Sequence, residues 1–325
     1  MTVIFNFGVE DKNFYYLSGI EEKCSGVFVF SDEPKVFVSP LEAGIAEKYA
    51  TTVVLNGKDS LWKLLKAELK GQDEIALNFP KASIALQKKL KKIGIKKFKD
   101  VSEILNKKRS FKTLNEVKKL RRASEIASKS IIQLRDFLKP GLTELEIKAE
   151  LEYLSIKNGA EGFSFDTIVA SGPNASIPHA MPTNRVVRNG DPIVIDFGPV
   201  YRLYTSDMTR TFLLGKNLEF DKNYRAVRRG QTAAIDVLEG GVRGKFVTDE
   251  TKKHTGKMIH SLGHGVGLDT HEAPNFSNNL MNTMVFTIEP GIYEGPGVRI
   301  EDVVHLDGRA DVLTTAPKDL DFAKI

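Results

Sequence analysis

Pro192-Ile-Val-Ile-Asp196-Phe-Gly-Pro-Val-Tyr-Arg202-Leu-Tyr-Thr-Ser-Asp207-Met-Thr-Arg-Thr-Phe212 is the stretch on which the reading of this chain turns. An apolar run, Ile193-Val-Ile195, ends at Asp196, and a second β-prone run carries Asp207. Joined as a hairpin turning at Tyr201-Arg202, the two runs place Asp196 directly opposite Asp207. Facing Cβ atoms on an antiparallel ladder lie about 5 Å apart, and like charges there are destabilising. Two carboxylates presented to each other from buried strands call for a cation between them. A bulge at Gly198-Pro199 would shift that geometry without removing the ligands.

The same device recurs downstream. A turn centred on Gly295, in the loop-forming set Glu294-Gly-Pro296, sets Glu289 opposite Glu301. His264 stands between Gly263 and Gly265, where missing side chains let a partner approach the imidazole closely. Four carboxylates and an imidazole form a hard donor set with room for two divalent ions. Mn²⁺, Co²⁺, Zn²⁺ or Fe²⁺ suits it better than a thiolate-bound structural zinc does. Ions roughly 3.5–4 Å apart share a water and lower its pKa from 15.7 toward about 7, which supplies a hydroxide nucleophile without a serine or cysteine. His179, His271 and Arg299 are further polar residues with no evident structural task. A histidine near such a site can donate to a developing oxyanion or a leaving nitrogen. Taken singly, each residue has an ordinary explanation: Asp196 as a turn residue, Asp207 as a partner of Arg210, Glu289 as a strand end. The argument rests on five residues of ligand type recurring together at strand ends. His254 reads as a solvated helix residue, His305 as a strand residue and His260 as support beneath the site.

At 325 residues the chain is long enough for two cores. Its 41% hydrophobic and 27% charged residues are ordinary for a globular protein. No run approaches the roughly 18 apolar residues of a membrane helix, and the N-terminus lacks a basic segment leading into an apolar core. Cys24 is the single cysteine, which fits a reducing cytoplasm and no intrachain disulfide. The net charge of +5 is concentrated in lysines between Lys88 and Lys119. Apolar residues at helical spacing thread that cluster, so it reads as solvated helix faces rather than a nucleic-acid surface.

Residues 1 to about 108 alternate short strands (Gly26–Phe30, Lys35–Val38, Thr52–Leu55, Glu74–Leu77) with helical patterns (Pro40–Tyr49, Ser60–Leu69, Pro80–Ile93), an α/β arrangement with its own core. The aromatic stretch Asn13–Gly19 reads as strand packing. A polar, basic connector at Asn106–Phe111 marks a boundary. Beyond it, Thr113-Leu-Asn-Glu116 and Thr143-Glu-Leu-Glu146 are capping boxes that open two helices, the first ended by Pro140-Gly141. A faint echo follows one hundred residues on, where Leu238-Glu-Gly-Gly-Val242 matches Leu138-Lys-Pro-Gly-Leu142. Each half then has two helices followed by strands.

These motifs, Asp-Phe-Gly…Tyr-Thr-Ser-Asp-Met-Thr-Arg-Thr, Gly-His-Gly-Val-Gly-Leu…His-Glu-Ala-Pro, Ile-Glu-Pro-Gly-Ile-Tyr and Gly-Val-Arg-Ile-Glu-Asp, closely resemble the pita-bread (creatinase/aminopeptidase) metallopeptidase family. Ser171-Gly-Pro-Asn…Pro-His179-Ala is similar to its Xaa-Pro-cleaving branch. The resemblance implies an α+β pita-bread catalytic domain with pseudo-twofold symmetry at 110–325, preceded by an α/β creatinase-type N-terminal domain at 1–109. It implies a dinuclear exopeptidase, a prolidase or an Xaa-Pro aminopeptidase, acting on proline-containing di- or oligopeptides. A methionine aminopeptidase-like enzyme and a non-catalytic peptide-binding module are the alternatives. It further implies that Asp196 binds one ion through both oxygens, that Asp207 and Glu301 bridge two, and that His264 and Glu289 hold the second, Glu289 also exchanging protons. His179 and His271 would contact the substrate amide and the tetrahedral intermediate. The N-terminal domain would mediate a homodimer. The chain departs from the pattern at Asn275, where many prolidases carry an arginine suited to a dipeptide's carboxylate; Arg299 or a partner subunit is the alternative source of that charge. The segment between Gly241 and His260 and the turn between Glu289 and Glu301 are also shorter than the resemblance leads one to expect.

Overall fold

The computed structural model describes residues 1–56 and 61–325. Contacts divide the chain into two units, Met1–Arg109 and Ser110–Ile325.

The first unit contains β1 (Thr2–Asn6), α1 (Lys12–Ser18), β2 (Gly26–Phe30), β3 (Lys35–Val38), α2 (Pro40–Ala46), β4 (Thr52–Val54), α3 (Leu61–Glu68), β5 (Glu74–Leu77), α4 (Ile84–Lys92), β6 (Lys97–Asp100) and α5 (Ser102–Ser110). The strands form one six-stranded sheet in the order β4-β3-β2-β1-β5-β6. The β1–β2 and β2–β3 pairs are antiparallel; β1–β5, β5–β6 and β3–β4 are parallel. Val27, Val29, Phe37, Ile75 and Leu77 from the sheet meet Leu65, Leu69 and Leu90 in one core. Burial of this kind contributes about 25 cal/mol per Å² of apolar surface.

Two expectations are corrected here. Asn13–Gly19 is not strand but α1: the Asp11 side chain accepts from the Asn13 amide as N-cap, and Gly19, at φ 76°, closes the helix. The presumed connector at Asn106–Phe111 is largely the last turns of α5. β1 and β6 had no assignment from periodicity. The expected start of the second helical pattern at Ser60 lies outside the described residues. The lysines of the basic cluster on α4, β6 and α5 (Lys88, Lys89, Lys91, Lys92, Lys97, Lys99, Lys107, Lys108) are exposed.

The second unit begins with α6 (Leu114–Arg135) and α7 (Glu144–Lys157). Both capping boxes form, Thr113 with Glu116 and Thr143 with Glu146. Then come β7 (Gly162–Phe163), β8 (Ile168–Ser171), β9 (Pro192–Phe197), β10 (Pro199–Tyr201), β11 (Tyr204–Thr205), β12 (Met208–Leu213), α8 (Leu218–Asp236), β13 (Val242–Arg243) and α9 (Gly244–Thr255). The chain finishes with β14 (His264–Gly265), β15 (Glu272–Asn275), β16 (Asn279–Leu280), β17 (Val285–Ile288), β18 (Gly291–Ile292), β19 (Val298–Arg299), β20 (Asp302–Asp307), β21 (Arg309–Val312) and α10 (Leu320–Ala323).

Two helices followed by an antiparallel sheet occur twice. In the first half α6 and α7 cover β12-β9-β8; in the second, α8 and α9 accompany β15-β14-β17-β20-β21. Each half has its own core. Ile131, Leu134, Ile147 and Leu151 pack on Ile193, Ile195, Phe197 and Phe212 in the first. Ala234, Leu238 and Val247 pack on Phe286, Ile288, Val304 and Leu306 in the second. Alternation along a strand then decides the site. Where Ile193, Ile195 and Phe197 face one core and Phe286 and Ile288 the other, Asp196, Thr287 and Glu289 point the opposite way.

The registers refine the opening argument. The first hairpin turns at Arg202-Leu203, both at positive φ (48° and 66°), one residue later than expected. Asp196 therefore faces Thr209, not Asp207. Asp207 lies one pair away on the same face, because moving the turn by one residue shifts the pairing by two. No bulge intervenes at Gly198-Pro199: Val200 pairs with Thr205 and Phe197 with Met208 in a single register. In the second hairpin Ile288 pairs with Asp302 and Gly291 with Arg299, which sets Glu289 across from Glu301.

Candidate metal centre

β9 and the segment before β12 supply Asp196 and Asp207, β14 supplies His264, and the β17–β20 hairpin supplies Glu289 and Glu301. Ligand-type atoms of Asp207, His264 and Glu301 all lie within 4.8 Å of one another. The His264 Nε2 is 3.6 Å from Asp207 Oδ2 and 3.4 Å from Glu289 Oε1. His264 Nδ1 faces the Gly265 carbonyl at 3.3 Å, which assigns its proton to Nδ1 and leaves the Nε2 lone pair toward the carboxylates. Burial, with His271 beside it, pushes the His264 pKa down to about 4, so the ring is neutral at pH 7.

The carboxylates repel one another. Burial, then Glu301, Asp196 and Glu289, hold Asp207 well above the usual range. Burial, then Glu289 and Asp196, do the same to Glu301. Burial pushes Glu289 up to about 7. Asp196 Oδ1 is buried with no hydrogen-bond partner among the described residues. An orphaned carboxylate oxygen, an imidazole lone pair aimed at acids, and carboxyls driven up by like charge share one remedy, a divalent cation. The oxygen-rich donor set fits a hard or borderline metal.

The surroundings are built to hold these ligands. The Thr209 hydroxyl donates to Glu301 Oε2 at 2.7 Å, and the Thr287 hydroxyl accepts from the His264 amide at 3.1 Å. Gly263 has no room for a side chain: a Cβ there would lie 2.0 Å from the Thr287 carbonyl oxygen. Gly263→Ala is therefore expected to displace His264 and to weaken metal affinity by about 10–100-fold, the usual cost of disturbing a supporting shell. Calorimetric titration of the metal-stripped variant with Mn²⁺ checks this, and an unchanged affinity would refute it.

Arg299 corrects an expectation. Its side chain is 4% exposed, and every nitrogen is committed within the protein. Nη2 donates to Asp196 Oδ2 at 2.7 Å, Nε to Thr209 at 3.0 Å, and Nη1 to the Pro178 carbonyl and Tyr293. An engaged guanidinium has no free fork for a substrate carboxylate; it holds Asp196 in place instead. Asn275 does not supply that charge either, since its side-chain oxygen accepts from Ser277 and Asn278 in its own loop.

A cavity of about 430 Å³ opens onto Asp196, Asp207, His264, Glu289 and Glu301. His179 and His271 line it, and the His271 ring sits 3.9 Å from that of His264. Burial lowers the His271 pKa. Phe165, Ile168, Pro178 and Met181 give the cavity an apolar wall. His260, read from sequence as support, also lines it. Its Nδ1 faces the Ser261 carbonyl at 2.8 Å, so its Nε2 accepts from the Tyr293 hydroxyl at 2.9 Å. Its placement four residues before His264, in His-Ser-Leu-Gly-His, was the available signal. Tyr293, which joins His260 to Arg299, was not singled out.

Residues 118–307 match the model of metallopeptidase family M24, and residues 7–111 match the creatinase/prolidase N-terminal domain. The chain is 34% identical to an Xaa-Pro dipeptidase of Pyrococcus furiosus, covering 95% of this chain and 92% of that one. A solved X-Pro aminopeptidase from Thermotoga maritima superposes with a TM-score of 0.91 at 30% identity, covering 98% and 97% of the two chains. An Xaa-Pro dipeptidase from Bacillus anthracis does so at 0.90 and 27% identity, covering 100% and 94%. With two matched models, this coverage and a two-halved fold whose strand ends converge on one acidic centre, the chain belongs to metallopeptidase family M24.

Proposed function

We propose that the chain is a metal-dependent exopeptidase that hydrolyses the bond preceding proline, with 1–109 as its creatinase-type N-terminal domain and 110–325 as its catalytic domain. The observation that carries the metal dependence is the convergence of ligand-type atoms of Asp207, His264 and Glu301 within 4.8 Å of one another. The substrate class rests on the relatives, which are Xaa-Pro dipeptidases and an X-Pro aminopeptidase. Asp196, Asp207, His264, Glu289 and Glu301 would hold two divalent cations. Mn²⁺ or Co²⁺ is the first choice, with Zn²⁺ and Fe²⁺ next. The working compartment is a reducing cytoplasm, a reading supported by the single cysteine, and the assembly proposed from the family resemblance is a homodimer.

Bound there, the cations supply Lewis acidity and a water of lowered pKa. The chain's own residues do the rest. Glu289 would take a proton from the attacking water and return it to the leaving nitrogen. His271, held neutral by burial, has an N–H for the substrate carbonyl or the tetrahedral intermediate, and His179 lines the same cavity. The wall of Phe165, Ile168, Pro178 and Met181 offers an apolar surface to a proline ring and excludes water. A bond preceding proline has no N–H, so a site that reads the carbonyl and the ring suits it better than one that adds the substrate as a strand.

Two versions remain, a dipeptidase and an aminopeptidase. Asn275, turned into its own loop, favours the aminopeptidase, because the described residues offer no free cation in the cavity for a dipeptide's carboxylate. The test is to strip the protein with chelator and add back Mn²⁺, Co²⁺ or Zn²⁺ separately. Met-Pro, a longer Xaa-Pro peptide and a Met-Ala peptide are then offered. Metal-dependent release from a proline substrate is expected. Release from neither would sink the proposal, and cleavage of the longer peptide alone would assign the aminopeptidase.

A further inference from the structure

Glu144, at the first turn of α7, is fully buried and carries no part of the metal centre. Five donor groups converge on its carboxylate. Oε1 accepts from the Ser171 amide at 2.7 Å, the Ser171 hydroxyl at 2.8 Å and Asn174 Nδ2 at 3.0 Å. Oε2 accepts from the Thr183 amide at 2.9 Å and the Thr183 hydroxyl at 2.7 Å. Burial alone would raise this carboxyl; the donors from Thr183, Ser171 and Asn174 outweigh it and hold it below the ordinary range.

What those donors have in common is their place in the chain. Ser171 ends β8 and Thr183 lies twelve residues on. Between them, apart from a 3₁₀ turn at Gly172–Ser176, there is neither helix nor strand. That span carries Pro178, His179 and Met181, three residues of the cavity wall. A loop with no ladder of its own is pinned at both ends to one ionised side chain. A second clamp acts at the near end: Arg185 Nη1 donates to the Ser171 hydroxyl at 2.7 Å and to Asp191 at 2.8 Å.

We propose that Glu144 is a positioning residue for peptide hydrolysis, closing the 171–183 loop on its carboxylate and so setting His179 against the substrate. This rests on the Xaa-Pro peptidase reading and extends it to a residue outside the cavity. The chemistry is specific to a carboxylate. In Glu144→Gln one acceptor oxygen becomes an amide nitrogen. That nitrogen must face either the Ser171 donors or the Thr183 donors, and one end of the loop loses its side-chain clamp, Ser171 keeping its strand pairing with Ile193 and Thr183 its carbonyl bond to the Leu145 amide.

The test uses the full chain loaded with Mn²⁺ and an Xaa-Pro peptide. Glu144→Gln is expected to lower kcat by about 10²-fold, the scale of an ångström's misplacement, with KM changed by less than about threefold. In a His179→Ala background the same change is expected to cost less than about twofold, since its effect passes through that ring. Amide hydrogen exchange across 174–183 is expected to quicken at least about tenfold. Glu146→Gln is the control. It removes an exposed carboxylate that caps the same helix through Thr143 and touches no part of the loop. If Glu144→Gln matches Glu146→Gln in kcat and exchange, or costs the same with and without His179, the proposal falls. Should Glu144→Gln not fold, Thr183→Val and Ser171→Ala each remove one donor, and unchanged kcat in both would overturn it equally. An inactive wild type would sink the peptidase reading alone, and the exchange comparison would still decide whether Glu144 holds the loop.

Discussion

Asp207→Asn is expected to lose metal-dependent Xaa-Pro hydrolysis by on the order of 10³-fold or more, well beyond the roughly 10–100-fold cost of outer-shell changes. Asp207 lies within reach of both His264 and Glu301, so an amide there removes the charge at the point where the ligands converge. The metal-free protein is expected to respond in the opposite sense. Burial and three neighbouring carboxylates raise the folded pKa of Asp207 above its unfolded value. A group of that kind binds more protons folded than unfolded. Its contribution is complete below about pH 4 and is lost as pH rises toward the folded value. Glu289 behaves alike, with a window that reaches about pH 7. Without metal, Asp207→Asn should therefore be more stable than wild type. The difference should grow from about pH 4 upward by as much as roughly 1.4 kcal/mol per pH unit. Added Mn²⁺ should raise the wild-type melting temperature and displace protons from the centre, and should do little for the variant. Melting curves across pH with and without Mn²⁺ give both signs in one experiment. A variant that kept full activity, or a metal-free wild type more stable than the variant at pH 7, would refute the assignment.

Arg210→Met is expected to cost about 3–5 kcal/mol of stability, the usual penalty for removing one member of a buried ion pair. Arg210 and Asp302 have side chains only 1% and 0% exposed, joined at 2.7 Å. The same guanidinium donates to the carbonyls of Thr209, Glu301, Ala316 and Pro317. Methionine fills the volume and satisfies none of them, while among the described residues Asp302 keeps Thr314 and Lys318. For a unit of this size the loss corresponds to a fall in melting temperature on the order of 10 °C. Because Arg210 also anchors the Glu301 backbone, Mn²⁺ affinity should fall with stability. Arg210→Lys should recover only part of either, since an ammonium cannot reach acceptors spread around a planar fork. A loss below about 1 kcal/mol in Arg210→Met would show that the network is not a keystone of the second unit.

Much of the centre was legible because a strand's period of two leaves little freedom. Once Ile193 and Ile195 face a core, Asp196 must face away from it, and the same holds for Glu289 beside Ile288. The turn of the first hairpin was misplaced by one residue, yet the acids kept a common face, because such an error moves the pairing by two and preserves parity. The misplacement itself has a cause. Arg202 and Leu203 sit at positive φ with no glycine or asparagine to announce it, the Arg202 amide donating to Glu161 from elsewhere in the fold. The helix at Lys12–Ser18 was hidden for the reverse reason. Its aromatic residues suggest strand, while its end signals, Asp11 and Gly19, carry the decision.

From the residues alone came the acid pairs, the histidine between glycines, both capping boxes and a faint echo between two halves, all local patterns with a fixed period or spacing; the two-halved catalytic fold came with the family resemblance of the motifs. Which face of Pro192–Phe212 is buried was already implied there. The partner across from Asp196, the commitment of Arg299 to that carboxylate rather than to a ligand, the Arg210–Asp302 pair and the closure of the His179 loop on Glu144 were not. Each joins residues that are distant in sequence, and whether a polar side chain is spent or free depends on every donor and acceptor that folding brings around it.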